Sequence, residues 1–346
     1  MTKITKYKVA LMHVAPVFLD TSKTIDKVCS LVDEAAKSGA KLIVFPETFV
    51  PAFPIWSALR APIYNHKWFK LLAAQTVQVN GPEMKRVAEC AKKNSVFVSL
   101  GINESANQSV GCIWNSNVLF NPAGNLINHH RKLVPTFWEK LVWANGDGAG
   151  LRVCDTELGR IGALICGENF NPLSRFSMIA QGEQVHISTY PPVWPAYDPK
   201  ESSLWSVADG IKIRAGAHAL EAKVFNLACA AYMDTAMLDM LADGDKEAAR
   251  ILQDSPRGVS LVMDPMGRVI SEIMQDSEGI LYSEIDLSLC VEAKQLHDLS
   301  GYYNRFDIFQ LKVNRTSNRP AIFIDGEGEC ERNNIEQEGE EQEKFI

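Results

Sequence analysis

Arg160-Ile161-Gly162-Ala163-Leu164-Ile165-Cys166-Gly167-Glu168-Asn169 is an apolar strand that breaks at a glycine, after which a helix starts. Cys166 is thereby set on a tight strand-to-helix turn, open to a substrate. At such a turn the partial positive charge of a helix N-terminus favours the thiolate, the nucleophilic form of cysteine. The competing reading is a buried core cysteine, because the chain has eight cysteines and a thiol packs well as a small hydrophobe.

Two further segments bear on that choice. Lys41-Leu42-Ile43-Val44-Phe45-Pro46-Glu47-Thr48-Phe49 is a short β-branched apolar run that stops at a proline, which places Glu47 at a strand end. Leu126-Ile127-Asn128 reads as a strand running into His129-His130-Arg131-Lys132-Leu133-Val134-Pro135-Thr136, with Lys132 ahead of a second chain-breaking proline. A carboxylate, an ammonium and a thiol therefore stand at three strand ends.

These segments, in this order, resemble the nitrilase superfamily. Phe45-Pro46-Glu47-Thr48-Phe49-Val50-Pro51 with Phe53-Pro54 is similar to the glutamate motif of the nitrilase branch. Arg131-Lys132-Leu133-Val134-Pro135-Thr136 with Glu139 and Trp143 resembles the lysine motif, and Cys166-Gly167-Glu168-Asn169 with Asn171-Pro172-Leu173 the cysteine motif. The resemblance runs from Tyr7 to Leu311 and includes Gly301 to Asp307, where Phe306 replaces a usual proline. Gly167 stands where many nitrilases carry tryptophan. The Cys-Gly-Glu-Asn form and the later run Ala180 to Pro195 resemble the arylacetonitrile-hydrolysing group.

The resemblance implies an α/β fold, a four-layer α-β-β-α sandwich of two mixed sheets. It implies catalysis by Glu47, Lys132 and Cys166, with Glu139 as a second glutamate that holds the lysine and orients substrate or water. The implied reaction converts a small nitrile to the carboxylic acid and ammonia through a covalent thioimidate and acyl-enzyme on Cys166. A homodimer or larger spiral homo-oligomer is implied as well. Three alternatives stay open: an amidase or carbamoylase using the same residues, nitrile hydrolysis with substantial amide product, and a non-catalytic scaffold with a relic site. Glu168 is assigned a structural role, either capping the following helix or forming a salt bridge across it. Trp56, Tyr64, Trp114, Phe137, Tyr190 and Trp194 are the candidate substrate-binding residues, an aromatic lining compatible with arylaliphatic nitriles that would serve plain aliphatic ones as well.

The bulk properties set the remaining expectations. A chain of 346 residues, 46% of them hydrophobic, can bury one large core. No apolar stretch approaches the roughly 18 residues that span a bilayer, and Met1 to Lys6 does not read as a signal peptide. Cys29, Cys90, Cys112, Cys154, Cys166, Cys229, Cys290 and Cys330 include no C-x-x-C pair, the pattern of reduced thiols in a cytosol. The seven histidines are scattered, and the adjacent pair His129 and His130 points to opposite strand faces, so no metal is expected. Nor does the chain carry a glycine-rich phosphate loop, and no cofactor is expected. Residues 325–346 hold nine acidic residues against Arg332 and Lys344, which carries the whole net charge of −7 and leaves residues 1–324 formally neutral. We expect one domain over 1–324, a disordered acidic tail over 325–346, and no binding to nucleic acid or membrane.

Along the chain the patterns predict strands at Val9–Val14, 41–46, Val96–Ile102, Val185–Thr189, Val224–Ala230 and Ile280–Ile285. Helices are expected at Thr21–Ser38, capped by Thr21, and at Pro82–Asn94, Pro172–Gly182 and Trp205–Lys223. Hairpins are expected at Trp114–Phe120 with Leu126–Arg131 and at Gly258–Met263 with Arg268–Ile273. Val50 to Tyr64, rich in Pro, Phe and Trp, reads as a pocket-lining loop.

Overall fold

The computed structural model describes residues 5–106, 109–318 and 321; the expected acidic tail lies outside the described residues. The strands are β1 Lys6–His13, β2 Ala40–Val44, β3 Phe97–Ala106, β4 Ser109–Phe120, β5 Leu126–Arg131, β6 Cys154–Thr156, β7 Gly159–Ile165, β8 Val185–Tyr190, β9 Phe225–Ala230, β10 Leu261–Met263 and β11 Gly279–Asp286. The helices are α1 Thr21–Lys37, α2 Trp56–Leu59, α3 His66–Ala73, α4 Pro82–Asn94, α5 Pro172–Ile179, α6 Val207–Ala222, α7 Thr235–Ala242, α8 Lys246–Asp254 and α9 Ser288–Leu296.

Two sheets form, in the orders β11-β1-β2-β3-β4-β5 and β10-β9-β8-β7-β6. Each is mixed. In the first, β1 runs parallel to β2 and β2 to β3, with antiparallel strands on both sides. In the second, β7, β8 and β9 are parallel, flanked by antiparallel β6 and β10.

The period-2 alternation of strand side chains builds the layers. Val9, Leu11, Leu42 and Val44 share a buried cluster with Ile161, Ala163, Val185, Ile187 and Leu227 of the other sheet, the apolar seam between the two. Their neighbours Ala10, Met12 and Ile43 point the other way, onto Ile25, Val28, Val32, Met84, Val87 and Ala91 of α1 and α4. On the far side, Val207, Ile211, Ala215 and Ala219 of α6 cover Ile165, Ala228, Ala230 and Leu261. The expected four-layer α-β-β-α sandwich is the fold observed.

Several local expectations are corrected. α1 starts at Thr21, but its cap is Asp20, whose carboxylate accepts from Lys23 N at 3.0 Å; Thr21 N instead donates to Gln75 Oε1. The segment 268–273 is not a strand: only Val269 and Met274 bridge to Met263 and Ser260 around the Asp264–Gly267 turn. Val50 to Tyr64 folds into α2 and a 3-10 turn, with Phe53, Ile55 and Trp56 packed into a core cluster beside Trp138 and Trp143. Trp205 lies outside α6, which is capped at Ser206.

One contact brings Glu47 to the end of its sheet. A Cβ at Gly101 of β3 would lie 2.2 Å from Pro46 O and 2.4 Å from Thr48 N, so only glycine lets the chain around Glu47 cross β3 this closely. Because both opposing atoms are backbone, Gly101→Ala is expected to destabilise the protein by about 1–3 kcal/mol, the scale of overpacking, and to displace Glu47. Denaturant unfolding measures the first effect and turnover the second; an unchanged midpoint contradicts the stated packing.

Candidate active site

Three strand ends converge. Glu47 lies just beyond β2, Lys132 follows β5 directly, and Cys166 follows β7. Lys132 is fixed at its backbone, its N–H donating to Asn115 O and its C=O accepting from Gly146 N, both at 2.8 Å. The Lys132 ammonium donates to Glu47 Oε1 at 2.8 Å and to Glu139 Oε2 at 2.6 Å, with all three side chains inaccessible to solvent. One carboxylate oxygen of Glu47, one of Glu139 and Cys166 Sγ lie within 4.8 Å of one another. The four residues singled out in the sequence are therefore one cluster.

The two carboxylates differ in what they have left to offer. Glu139 is committed on both oxygens: Oε2 also accepts from Thr136 N at 2.7 Å, and Oε1 accepts from Trp194 Nε1 at 2.9 Å. Glu47 Oε1 takes a second hydrogen bond from Asn115 Nδ2 at 2.7 Å, while its Oε2 has no N–H or O–H partner among the described residues. Burial, opposed by Lys132, pushes the Glu47 carboxyl up to about 7. For Lys132 burial works against the charge, but Glu139 and Glu47 outweigh it and hold the ammonium well above its usual range.

The expected thiolate-favouring turn is corrected. The element after β7 is a 3-10 turn, Cys166–Phe170, not an α-helix. Burial and the neighbouring Glu47 push the Cys166 thiol well above the usual range. The resting sulfur is therefore protonated and needs a base. Its backbone is in the left-handed region at φ 46°, as are Thr48 at 42° and Phe137 at 51°. Three non-glycine residues of this kind at one site mark backbone held by its surroundings.

Glu168 holds the Cys166 turn to the lysine strand. Its carboxylate accepts from Ile165 N at 2.8 Å, from Leu133 N at 2.6 Å and from His130 Nε2 at 2.8 Å. Burial opposes its charge, yet His130 and the two backbone donors hold its carboxyl below the usual range. The residues preceding Cys166 and following Lys132 are thus tied through one side chain. The structural role expected of Glu168 is seen in its cap on the 3-10 turn through Ile165 N, and the same carboxylate also reaches the neighbouring sheet at His130 and Leu133. His129 and His130 face apart as expected, to Glu104 and Glu168.

Cys166 opens onto a cavity of about 520 Å³ lined by Phe137, Phe170, Tyr190, Trp194, Tyr197 and Trp205, with Gly167 beside the thiol. Phe137, Tyr190 and Trp194 are where the sequence reading puts them. Trp56, Tyr64 and Trp114 are not among the lining residues. Trp56 is buried in the core cluster, Tyr64 is exposed on its 3-10 turn, and Trp114 lies under the Arg131 guanidinium at 4.0 Å. An aromatic residue in a Pro-rich run carries no sign of which way it packs.

Asn115, Thr136 and the lining residues Phe170, Tyr197 and Trp205 were missed. For Thr136 a signal existed, because Thr136-x-x-Glu139 is the spacing of a capping box, and both of its hydrogen bonds form. Asn115 had none, since its role depends on the register of β4 beside Lys132. Among the described residues two clusters have metal-ligand character, Glu47-Glu139-Cys166 and Glu183-His186-His218. In the first the Lys132 ammonium already supplies the cation; in the second both carboxylate oxygens accept from imidazoles.

Known proteins share this arrangement of sequence and fold. The carbon-nitrogen hydrolase family pattern matches residues 8–295. A nitrilase of Paraburkholderia phymatum is 33% identical over 321 residues, 92% of this chain and 88% of that one. An arylacetonitrilase of Hypocrea virens is 34% identical over 313 residues, covering 89% and 92%. The crystal structure of Nit3 from Saccharomyces cerevisiae, a member of branch 10 of the nitrilase superfamily, superposes with a TM-score of 0.66 at 20% identity over 87% of this chain and 97% of that one, and so shares the fold. With a family match that spans both sheets and all three strand ends, the chain belongs to the carbon-nitrogen hydrolases of the nitrilase superfamily.

Proposed function

We propose that the protein hydrolyses a nitrile to its carboxylic acid and ammonia, with Cys166 as nucleophile, Glu47 as proton shuttle, Lys132 as fixed positive charge and Glu139 as the group that holds Lys132. The observation that carries this reading is the asymmetry of the two glutamates. Glu139 has both oxygens committed, whereas Glu47 keeps Oε2 free beside a protonated thiol. A carboxyl raised to about 7 is matched to taking and returning a proton near neutral pH.

A nitrile carbon is a weak electrophile, so attack needs a thiolate formed as the carbon is reached. Glu47 takes the Cys166 proton as sulfur bonds to carbon, and returns it to the nitrile nitrogen, giving a thioimidate. A first water adds to that carbon with Glu47 as base, and the nitrogen leaves as ammonia, giving a thioester. A second water releases the acid and restores the thiol. The balance is one nitrile and two waters to one acid and one ammonia. Lys132, kept charged by two carboxylates, stabilises the anionic tetrahedral species in a dry site. Loss of sulfur instead of ammonia from the first tetrahedral species would release the amide.

The cavity supports a substrate class. Its aromatic lining suits a neutral arylaliphatic nitrile, in keeping with the arylacetonitrilase relative. A panel of arylaliphatic, aromatic and aliphatic nitriles, each paired with its amide and scored by ammonia release, tests this. Faster release from the amide throughout would make the protein an amidase.

Cys166→Ala is expected to lower ammonia release more than about 10³-fold, as for loss of a covalent nucleophile, with circular dichroism unchanged. In the wild type, kcat/KM should rise with pH through a limb near 7, because Glu47 is a base only when ionised and is protonated below its raised value. Glu47→Gln should abolish both turnover and electrophile labelling of Cys166. Glu139→Gln should keep measurable labelling while turnover falls about 10²-fold; wild-type turnover in that variant contradicts its assigned role. We further propose that the chain assembles as a homodimer or larger, since Leu173 on α5 and Ile213 and Leu220 on α6 leave apolar side chains exposed. Light scattering showing only monomer contradicts that.

A further inference from the structure

A second buried carboxylate reaches the nucleophile turn by a longer route. His218 Nε2 of α6 lies 2.9 Å from Glu183 Oε2, and Glu183 Oε1 lies 2.7 Å from His186 Nδ1 on β8. His186 Nε2 is 2.9 Å from Asn169 Oδ1, and Asn169 Nδ2 donates to the carbonyls of Leu164 at 3.3 Å and Cys166 at 3.1 Å. All four side chains are buried. Gly162 of β7 makes the room, since a Cβ there would lie 2.1 Å from Glu183 Oε1. Nothing in the proposed chemistry uses these groups.

The hydrogen-bond inventory assigns their protons. Asn169 spends its amide hydrogens on two carbonyls, so its Oδ1 must accept and His186 Nε2 must carry a hydrogen. Glu183 accepts on both oxygens; burial opposes its charge, but His186 beside it holds the carboxyl down to about 2. Glu183 Oε1 and His186 Nδ1 share the hydrogen bond that fixes the ring, with the Nε2 hydrogen turned to Asn169. His218 donates from Nε2, and its Nδ1 has no partner among the described residues, which is the neutral tautomer. Burial and the neighbouring His186 ring, with centroids 4.0 Å apart, hold His218 down to about 4.

We propose that Asn169, His186 and Glu183 are positioning residues for Cys166. The buried, hydrogen-bonded His186-Glu183 pair fixes the Asn169 amide, and that amide clamps the Leu164 and Cys166 carbonyls. The clamp holds Cys166 in its left-handed conformation at φ 46°, with the sulfur facing Glu47. Glu168 fixes the same turn from the Ile165 N–H. Each side of the nucleophile's backbone thus has its own carboxylate anchor, one direct and one through His186. The proposal rests on the reading of Cys166 as nucleophile, not on which C–N substrate is used.

Labelling of Cys166 by iodoacetamide, followed on its own peptide by mass spectrometry, reads the nucleophile without any nitrile, so it separates failure of this proposal from failure of the nitrile reading. Asn169→Asp keeps the shape and the acceptor for His186 but removes both donors. Its labelling rate and kcat should each fall at least about 10-fold, with KM within about threefold of wild type and the circular dichroism spectrum retained. Glu183→Gln tests whether hydrogen bonding, not charge, anchors Asn169, because the amide can donate to Nδ1 of a neutral His186 and accept from His218, leaving Asn169 in place. It should label within about threefold of wild type, whereas Glu183→Ala should fall as far as Asn169→Asp. Wild-type labelling by Asn169→Asp overturns the proposal. So does a Glu183→Gln loss equal to that of Glu183→Ala, or a KM that rises as much as kcat falls.

Discussion

The Lys132 ammonium, shut away from water between Glu47 and Glu139, is the interaction on which the rest of the site depends. An unpaired ammonium at that depth would cost several kcal/mol or lose its proton, so the lysine stays charged only while both carboxylates are in reach. Glu47 arrives from the end of β2, Lys132 from the end of β5 and Glu139 from the 3-10 turn Phe137–Leu141. The first sheet must close correctly for the charge to exist at all. Once it does, the two acids differ in what their oxygens have left to offer. Glu139 spends its oxygens on Lys132, Thr136 and Trp194, and Glu47, raised to about 7 by burial, retains the oxygen that can exchange a proton with sulfur.

Cys166 belongs to the other sheet, so the reactive group is assembled across the sandwich. The Glu168 carboxylate makes that junction, bonding Ile165 N on one side and Leu133 N on the other. Such a carboxylate costs desolvation energy and returns it only when every acceptor site is filled, which ties its ionisation to correct docking of the two sheets. Close approach is secured by glycines where a Cβ would collide. Gly101 admits the Glu47 backbone, and Gly167 lies against Thr136, whose Oγ1 would be 2.5 Å from a Cβ at that position. The left-handed backbones of Thr48, Phe137 and Cys166 are the strained counterpart of the same crowding.

Local chemistry was legible where it is encoded over a few residues. Pro82–Asn94, with proline at its first turn, appears at its expected bounds, and the Leu126–Arg131 strand likewise. The helices α7 and α8, each opened by an aspartate cap at Asp234 and Asp245, carried the same kind of signal and passed unassigned. The aromatic residues were legible only in part. Trp56 and Trp194 sit in similar Pro-rich runs, yet one fills the core and the other lines the cavity.

The sequence by itself determined which groups meet at the candidate site: three motifs single out Glu47, Lys132 and Cys166, and the strand periodicity sets each at a strand end, because a proline or glycine that stops a ladder acts locally. Only the tertiary structure decided how they are protonated and which partners each one has. The thiol is protonated, Glu47 is raised, and Glu139 is locked to Trp194 because burial and partners 55 to 85 residues apart in the chain set the field at each atom. Electrostatic energies depend on distance and dielectric, and neither exists until the two sheets have closed over the site.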